Sequence, residues 1–196
     1  MLKLAVTGGI ACGKSRVGAF LREMNVAVCD CDSIAHDVMR RGSSVFDQVV
    51  DEFGSDLLDE RGEIDRDRLG DIVFSSSEQR GILNGIVHPH VKAGWEQWLK
   101  QIDEPVLAAT VIVPLLFEGG FEEGWDRVVC VAAPLEKQLQ RLAKRGFGEP
   151  EARRRISAQY DVTEKMKRSD VVLYNAGSLD GLRKQTERAL KLVLES

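Results

Sequence analysis

Gly8-Gly9-Ile10-Ala11-Cys12-Gly13-Lys14-Ser15 satisfies the pattern G-x-x-x-x-G-K-[ST] at every fixed position. Both flanks agree with it. Leu2, Leu4 and Val6 belong to a short apolar run before it, the pattern of a buried strand. Val17, Phe20, Leu21 and Met24 recur at helical spacing after it. Strand, glycine-bearing loop and helix, in that order, make a phosphate-binding loop. Glycines let successive main-chain amides curl around phosphate oxygens without Cβ atoms in the way. The helix opening at Lys14 turns the positive end of its dipole toward the same anion. Lys14 is expected to reach the β- and γ-phosphates, and the Ser15 hydroxyl to ligate Mg²⁺. The competing reading, a glycine-rich turn that matches by chance, has no account of the two flanks.

At 196 residues the chain suits one domain, or one core with insertions, and is long enough to bury a sizeable core. An apolar fraction of 43% with 30% charged residues is ordinary for a soluble globular protein. A net charge of −4 supplies no basic field for nucleic acid. No apolar run reaches bilayer length, and the N-terminus reads as a strand rather than a signal peptide, so a cytoplasmic protein without a membrane partner is expected. Cys12, Cys29, Cys31 and Cys130 form no C-x-x-C pair and no zinc spacing, which suits reduced thiols. Cys12 is either reactive, because nearby amides favour a thiolate, or simply a small residue that fits the loop.

Val26 to Cys29 reads as a second strand that ends in Asp30-Cys31-Asp32. In open α/β sheets ligands bind beyond the carboxyl ends of strands, so a catalytic carboxylate belongs there. If the strand continued, Asp30 and Asp32 would share a side. Alternatively, Asp32 or Ser33 caps a helix beginning near Ile34. The pattern from Ser33 to about Asp103 is helical and too long for a simple crossover, which marks an insertion that covers the site and binds a second substrate. Pro89 should interrupt or bend its last helix near His88. His88 is either a structural residue at that break or a polar contact to substrate, and His36 and His90 read as solvated. Of Trp95 and Trp98, at most one fits a core face.

Val106 to Val113 is a continuous apolar run, a strand buried on both faces, with Pro114-Leu115-Leu116-Phe117-Glu118 at its carboxyl end. Glu118 either supports the site or caps the next element. Val128 to Ala132 is a further strand, followed by a helix from Leu135 to about Arg145. Gln140, Arg141, Lys144, Arg145 and Arg153-Arg154-Arg155 then bracket Gly146-Phe147-Gly148. A charge run is usually a solvated helix face. Its place after a strand near the nucleotide suits a lid whose arginines clamp transferring phosphates. Asp170 to Tyr174 is the last strand, and Leu182, Ala189, Leu190 and Val193 face inward from a terminal helix.

These readings give an α/β fold of the P-loop nucleoside-triphosphate hydrolase type, with a five-stranded parallel sheet flanked by helices. The expected core is 1–32, 104–140 and 161–196, with a helical acceptor-binding insertion at 33–103 and a lid at 141–160. Insertion and lid together point to a small-molecule kinase.

The chain also resembles the dephospho-CoA kinase family. The resemblance rests on Thr7-Gly8-Gly9-Ile10 with Gly13-Lys14-Ser15, on Asp30-Cys31-Asp32-Ser33-Ile34-Ala35, on Val87-His88-Pro89 and on Val113 to Glu118. It continues through Gln138 with Arg141-Leu142, Arg155-Ile156 with Gln159, and Asn175-Ala176-Gly177-Ser178. It implies transfer of the ATP γ-phosphoryl group to the ribose 3′-hydroxyl of dephospho-CoA. It implies Asp32 as the base, and Gly9, Ile10, Ala11, Cys12, Gly13, Lys14, Ser15 and Arg16 around the ATP phosphates. Arg141 would engage ATP, Asn175 and Gly177 would lie near adenine, and His88 would serve the acceptor. The family usually carries Gly-Ser-Gly-Lys-Ser-Thr where this chain has Ala11-Cys12-Gly13-Lys14-Ser15-Arg16. Ala11 restricts torsions that glycine leaves free, and Arg16 replaces a hydroxyl residue. Other readings are a different small-molecule or nucleoside monophosphate kinase, and a non-catalytic nucleotide switch. The switch lacks an N-K-x-D sequence and has no use for a lid.

Overall fold

A computed structural model describes residues 1–103 and 105–195. Glu104 and Ser196, which bound expected core segments, lie outside the described residues. The chain divides into two compact units, Met1–Asp30 with the chain from Ile102 onward, and Cys31–Gln101.

The first unit is built on a parallel sheet. Its strands are β1 (Leu2–Gly8), β2 (Ala27–Asp30), β3 (Ala108–Ile112), β4 (Arg127–Ala132) and β5 (Val171–Tyr174), in the order β2-β3-β1-β4-β5. Helices α1 (Lys14–Glu23), α6 (Leu135–Ala143), α7 (Glu149–Ser157), α8 (Val162–Lys167) and α9 (Leu179–Glu195) belong to it. All four strand pairings are parallel, with Val6 opposite Ile112 and Gly8 opposite Val131. β3 is buried along its whole length, as its uninterrupted apolar sequence requires. Leu4, Val6, Val17, Leu21, Ile112 and Leu190 sit in one buried cluster between the sheet and α1 and α9. The chain leaves β1 toward β2 and leaves β4 toward β5, so neighbouring β1 and β4 form a switch point, where such sheets bind ligands beyond their carboxyl ends. The last residue of β5, at the sheet's open side, is engaged by a side chain. Gln185 of α9 accepts from Tyr174 N–H (2.8 Å) and donates to Tyr174 O (3.2 Å).

The second unit is helical. It contains α2 (Cys31–Val38), α3 (Ser44–Phe53), α4 (Arg66–Ser75) and α5 (Ser77–Lys100). Its starts are written in the sequence. Ser43 accepts from Phe46 N–H, Asp65 from Asp67 and Arg68 N–H, and Ser76 from Gln79 N–H, each capping the helix that follows.

Two local expectations are corrected here. α5 runs continuously through Pro89, so of the interruption or bend expected near His88 the interruption does not occur. Val87, Val91 and Trp95 form its buried stripe on either side of the proline, while Pro89 and Gly85 are exposed, so the carbonyl that loses its partner faces solvent. The strand geometry that would pair Asp30 with Asp32 ends at Asp30. α2 begins at Cys31, which places Asp32 inside the first helical turn rather than on a strand or at the cap. A carboxylate there is favoured by the helix dipole. Of the pair expected to contribute at most one core residue, Trp95 is buried and Trp98 is half-buried. No helix among the described residues is long and apolar enough to cross a membrane.

Candidate active site

The phosphate loop leaves β1 with a backbone that side chains would obstruct. A Cβ on Gly8, at φ 137°, would lie 2.0 Å from Val131 O, and one on Gly13, at φ 111°, would lie 2.4 Å from Asn175 Nδ2. Ala11 adopts φ 57°, the left-handed conformation that glycine would take freely. The departure seen in the sequence therefore carries backbone strain, at a residue whose methyl is buried beside Leu142 and Ala152.

Lys14 Nζ donates to Gly8 O (2.9 Å) and Gly9 O (3.0 Å), which holds the ammonium across the loop. Cys12 N–H donates to Gly9 O at 3.2 Å. Arg141, from α6, supports the loop through its carbonyls. Its guanidinium donates to Ala11 O (2.9 Å), Cys12 O (3.2 Å) and Asn175 O (3.1 Å). Buried Asn175 donates its Nδ2 to Cys12 O at 2.8 Å. Ser15 and Arg16 are exposed in the first helical turn, where Arg16 N–H already donates to Gly13 O at 3.0 Å. Gly177 is exposed two residues beyond Asn175.

Cys12 settles as the small-residue reading. It has no exposed surface, and burial pushes its thiol above the ordinary range despite the nearby Lys14 and Arg141 charges. Burial likewise raises Cys29 and Cys130 to about 11. All four cysteines are free thiols.

Beside the loop lies a cleft of about 700 Å³ whose lining includes Gly9, Ile10, Gln138, Arg153, Tyr160 and Tyr174. Two of the arginines expected to clamp phosphates are held by carboxylates of their own helix. Arg153 pairs with Glu149 (2.7 Å), and Arg155 pairs with Glu151 (2.8 Å) while stacking 4.1 Å over Phe147. The Arg153 pair is exposed and cheap to exchange for a phosphate. The Arg155 guanidinium, boxed by ring and carboxylate, is the more structural of the two.

In the helical unit, Asp32 is exposed in the first turn of α2 and His88 is half-buried on α5. Arg66, the first residue of α4, lies in the field of Asp32 and Asp37, which oppose the downward pull of burial on its guanidinium. It lines a cleft of about 180 Å³ with His36, Met39, Arg40, Glu63 and Ile64. Sequence reasoning passed over Arg66 because nothing local marks it. It also passed over Lys165, whose setting among Glu164, Met166 and Lys167 reads as a solvated face although the residue is buried.

A nucleotide loop at a switch point, with a basic helical segment after β4, defines an ATP-dependent phosphotransferase of the P-loop class. Comparison with known proteins sharpens this. The family model described as dephospho-CoA kinase matches residues 2–181. Dephospho-CoA kinase of Geobacillus kaustophilus is 43% identical over 99% of this chain and 96% of its own, and that of Thermosynechococcus vestitus is 39% identical over 98% and 95%. The solved dephospho-CoA kinase from Campylobacter jejuni superposes with a TM-score of 0.68 at 27% identity, covering 98% of this chain and 97% of that one. The chain belongs to the dephospho-CoA kinase family, and is an ATP-dependent kinase of the last step of coenzyme A biosynthesis. Shikimate kinase from Acinetobacter baumannii, at 15% identity and a TM-score of 0.54 over 100% of this chain and 94% of its own, shares the fold.

Proposed function

We propose that this chain transfers the γ-phosphoryl group of ATP to the ribose 3′-hydroxyl of dephospho-CoA, in the cytoplasm, with Asp32 as the base. The 3′-oxygen forms a bond to the γ-phosphorus as the bond to the β,γ-bridging oxygen breaks. The hydroxyl proton passes to the Asp32 carboxylate, and ADP leaves. The observation that carries the reading is the braced loop. Lys14 already lies across its mouth, with Arg141 and Asn175 fixing the carbonyls. Phosphoryl transfer asks for positioning and charge neutralisation more than covalent chemistry, which such a loop supplies. Asp32 sits two residues beyond the carboxyl end of β2, where an α/β sheet presents reacting groups.

Gly9 to Arg16 would surround the phosphates, with Asn175 and Gly177 toward the adenine. Arg141 would act on ATP from the start of the basic segment, and His88 would serve the acceptor. The donor set suits Mg²⁺. That ion keeps most of its waters and takes one or two protein oxygens besides phosphate, and the exposed Ser15 hydroxyl is one. Among the described residues no group of three or more His, Cys, Asp or Glu side chains forms a cage, so Ser15 would hold Mg²⁺ together with the nucleotide. When bound, the ion would neutralise charge on the phosphates. A coupled assay with ATP and dephospho-CoA, run beside AMP and shikimate, tests the acceptor. Turnover should be seen with dephospho-CoA, and preference for either of the others would overturn the assignment.

A further inference from the structure

The short link between α7 and α8 is tied to the rest of its unit at two points. Gln159 accepts from Ile10 N–H at 2.9 Å through its Oε1, which removes one amide of the phosphate loop from the phosphate side. The next residue, Tyr160, donates its N–H to Glu118 Oε1 at 2.9 Å. That same oxygen is 2.7 Å from Lys165 Nζ, on a side chain with no exposed surface. Lys165 Nζ also donates to Pro114 O (2.8 Å), which accepts from Thr7 Oγ1 of β1 at 3.4 Å. Glu118 Oε2 is buried without a hydrogen bond among the described residues.

A buried ion pair is poor value as a source of stability, because desolvation offsets most of the attraction. What it does supply is a fixed geometry, and here the fixed object is the backbone of Tyr160. Gln159 is thereby held where its amide oxygen meets the first corner of the phosphate loop. We propose that Gln159 is a positioning residue for the ATP phosphates, and that the Glu118–Lys165 pair holds it in place. The end of the basic segment and the phosphate loop then act as one part. This rests on the loop's holding ATP, which wild-type binding of Mg-ATP checks separately.

Gln159→Met keeps length and volume but removes the acceptor. Its KM for ATP should rise about tenfold, with kcat within about twofold and the melting temperature lowered by no more than about 4 °C, the scale of one lost hydrogen bond. The KM for dephospho-CoA should not change. Lys165→Met should raise the KM for ATP similarly and also lower the melting temperature. The double variant should go no further in KM than the worse single one, since both act through the same link. Should Lys165→Met fail to fold, Glu118→Gln takes its place in the cycle. A wild-type KM in Gln159→Met overturns the proposal, with or without a change in melting. So do effects on KM that multiply in the double variant.

Discussion

The phosphate-loop unit and the helical unit hold their candidate functional groups in opposite ways. In the first, the important polar atoms belong largely to the main chain, and buried or half-buried side chains brace them from several directions. Arg141 and Asn175 alone make four hydrogen bonds to carbonyls of residues 11, 12 and 175. In the second, Asp32 and Arg66 project from first helical turns and are exposed. A rigid cradle suits the triphosphate, which every kinase of the class shares. Exposed side chains can be exchanged without disturbing a core, which would suit the acceptor-binding role proposed for the second unit.

Substitutions sort along that contrast. Lys14→Ala should abolish turnover while the melting temperature stays near wild type, and full activity would end the reading of the loop. Asp32→Asn should lower kcat by about two to four orders of magnitude, the usual worth of a general base, with Mg-ATP binding by calorimetry unchanged. Unaltered turnover would reduce Asp32 to a dipole-stabilising residue. Arg66→Ala should raise the KM for dephospho-CoA by about tenfold, the scale of one charge-assisted contact, and leave the KM for ATP alone. Equal rises for both substrates would show that the two units do not divide the labour.

Smaller effects belong to the sheet unit. Cys29 and Cys130 keep their protons up to about 11 in the fold, whereas an unfolded thiol loses its proton near 9.0. The folded state therefore binds more protons in that window, so this contribution to stability is intact below pH 9 and falls as pH rises toward about 11. Urea unfolding across the window should show it, with a shallower slope in Cys130→Ala. Least of all, Ala11→Gly should shift the melting temperature by no more than about 2 °C. Relief of about 1–2 kcal/mol of left-handed strain is offset by about 0.4–1 kcal/mol of unfolded-state entropy and about 0.8 kcal/mol of methyl burial. A large shift either way would mean that one of these terms is misjudged.

Much of the sheet unit is legible in the sequence because its signals are local. The G-x-x-x-x-G-K-S spacing, the apolar run around Val111 and the inward positions of the last helix each need only a few neighbouring residues. Pro89 misleads because its effect depends on which side of α5 faces solvent, and that is decided by Val87, Val91 and Trp95 together. Neither reading of Asp32, on a continuing strand or at the cap of a helix near Ile34, places the start of α2 early enough, because the change from strand to helix between Asp30 and Cys31 leaves no glycine or proline behind. Lys165 and Gln159 are not legible at all in their contacts, since their partners are 47 and 149 positions away. No periodicity announces a buried lysine.

The amide of Gln185 presents to Tyr174 what one residue of a sixth strand would present with its own C=O and N–H, an acceptor and a donor side by side. An open β-edge is a place where identical chains can add to one another when crowded. With that glutamine in position, the N–H and C=O of Tyr174 are already engaged, and a neighbouring molecule that would pair with the edge at this residue must first displace it.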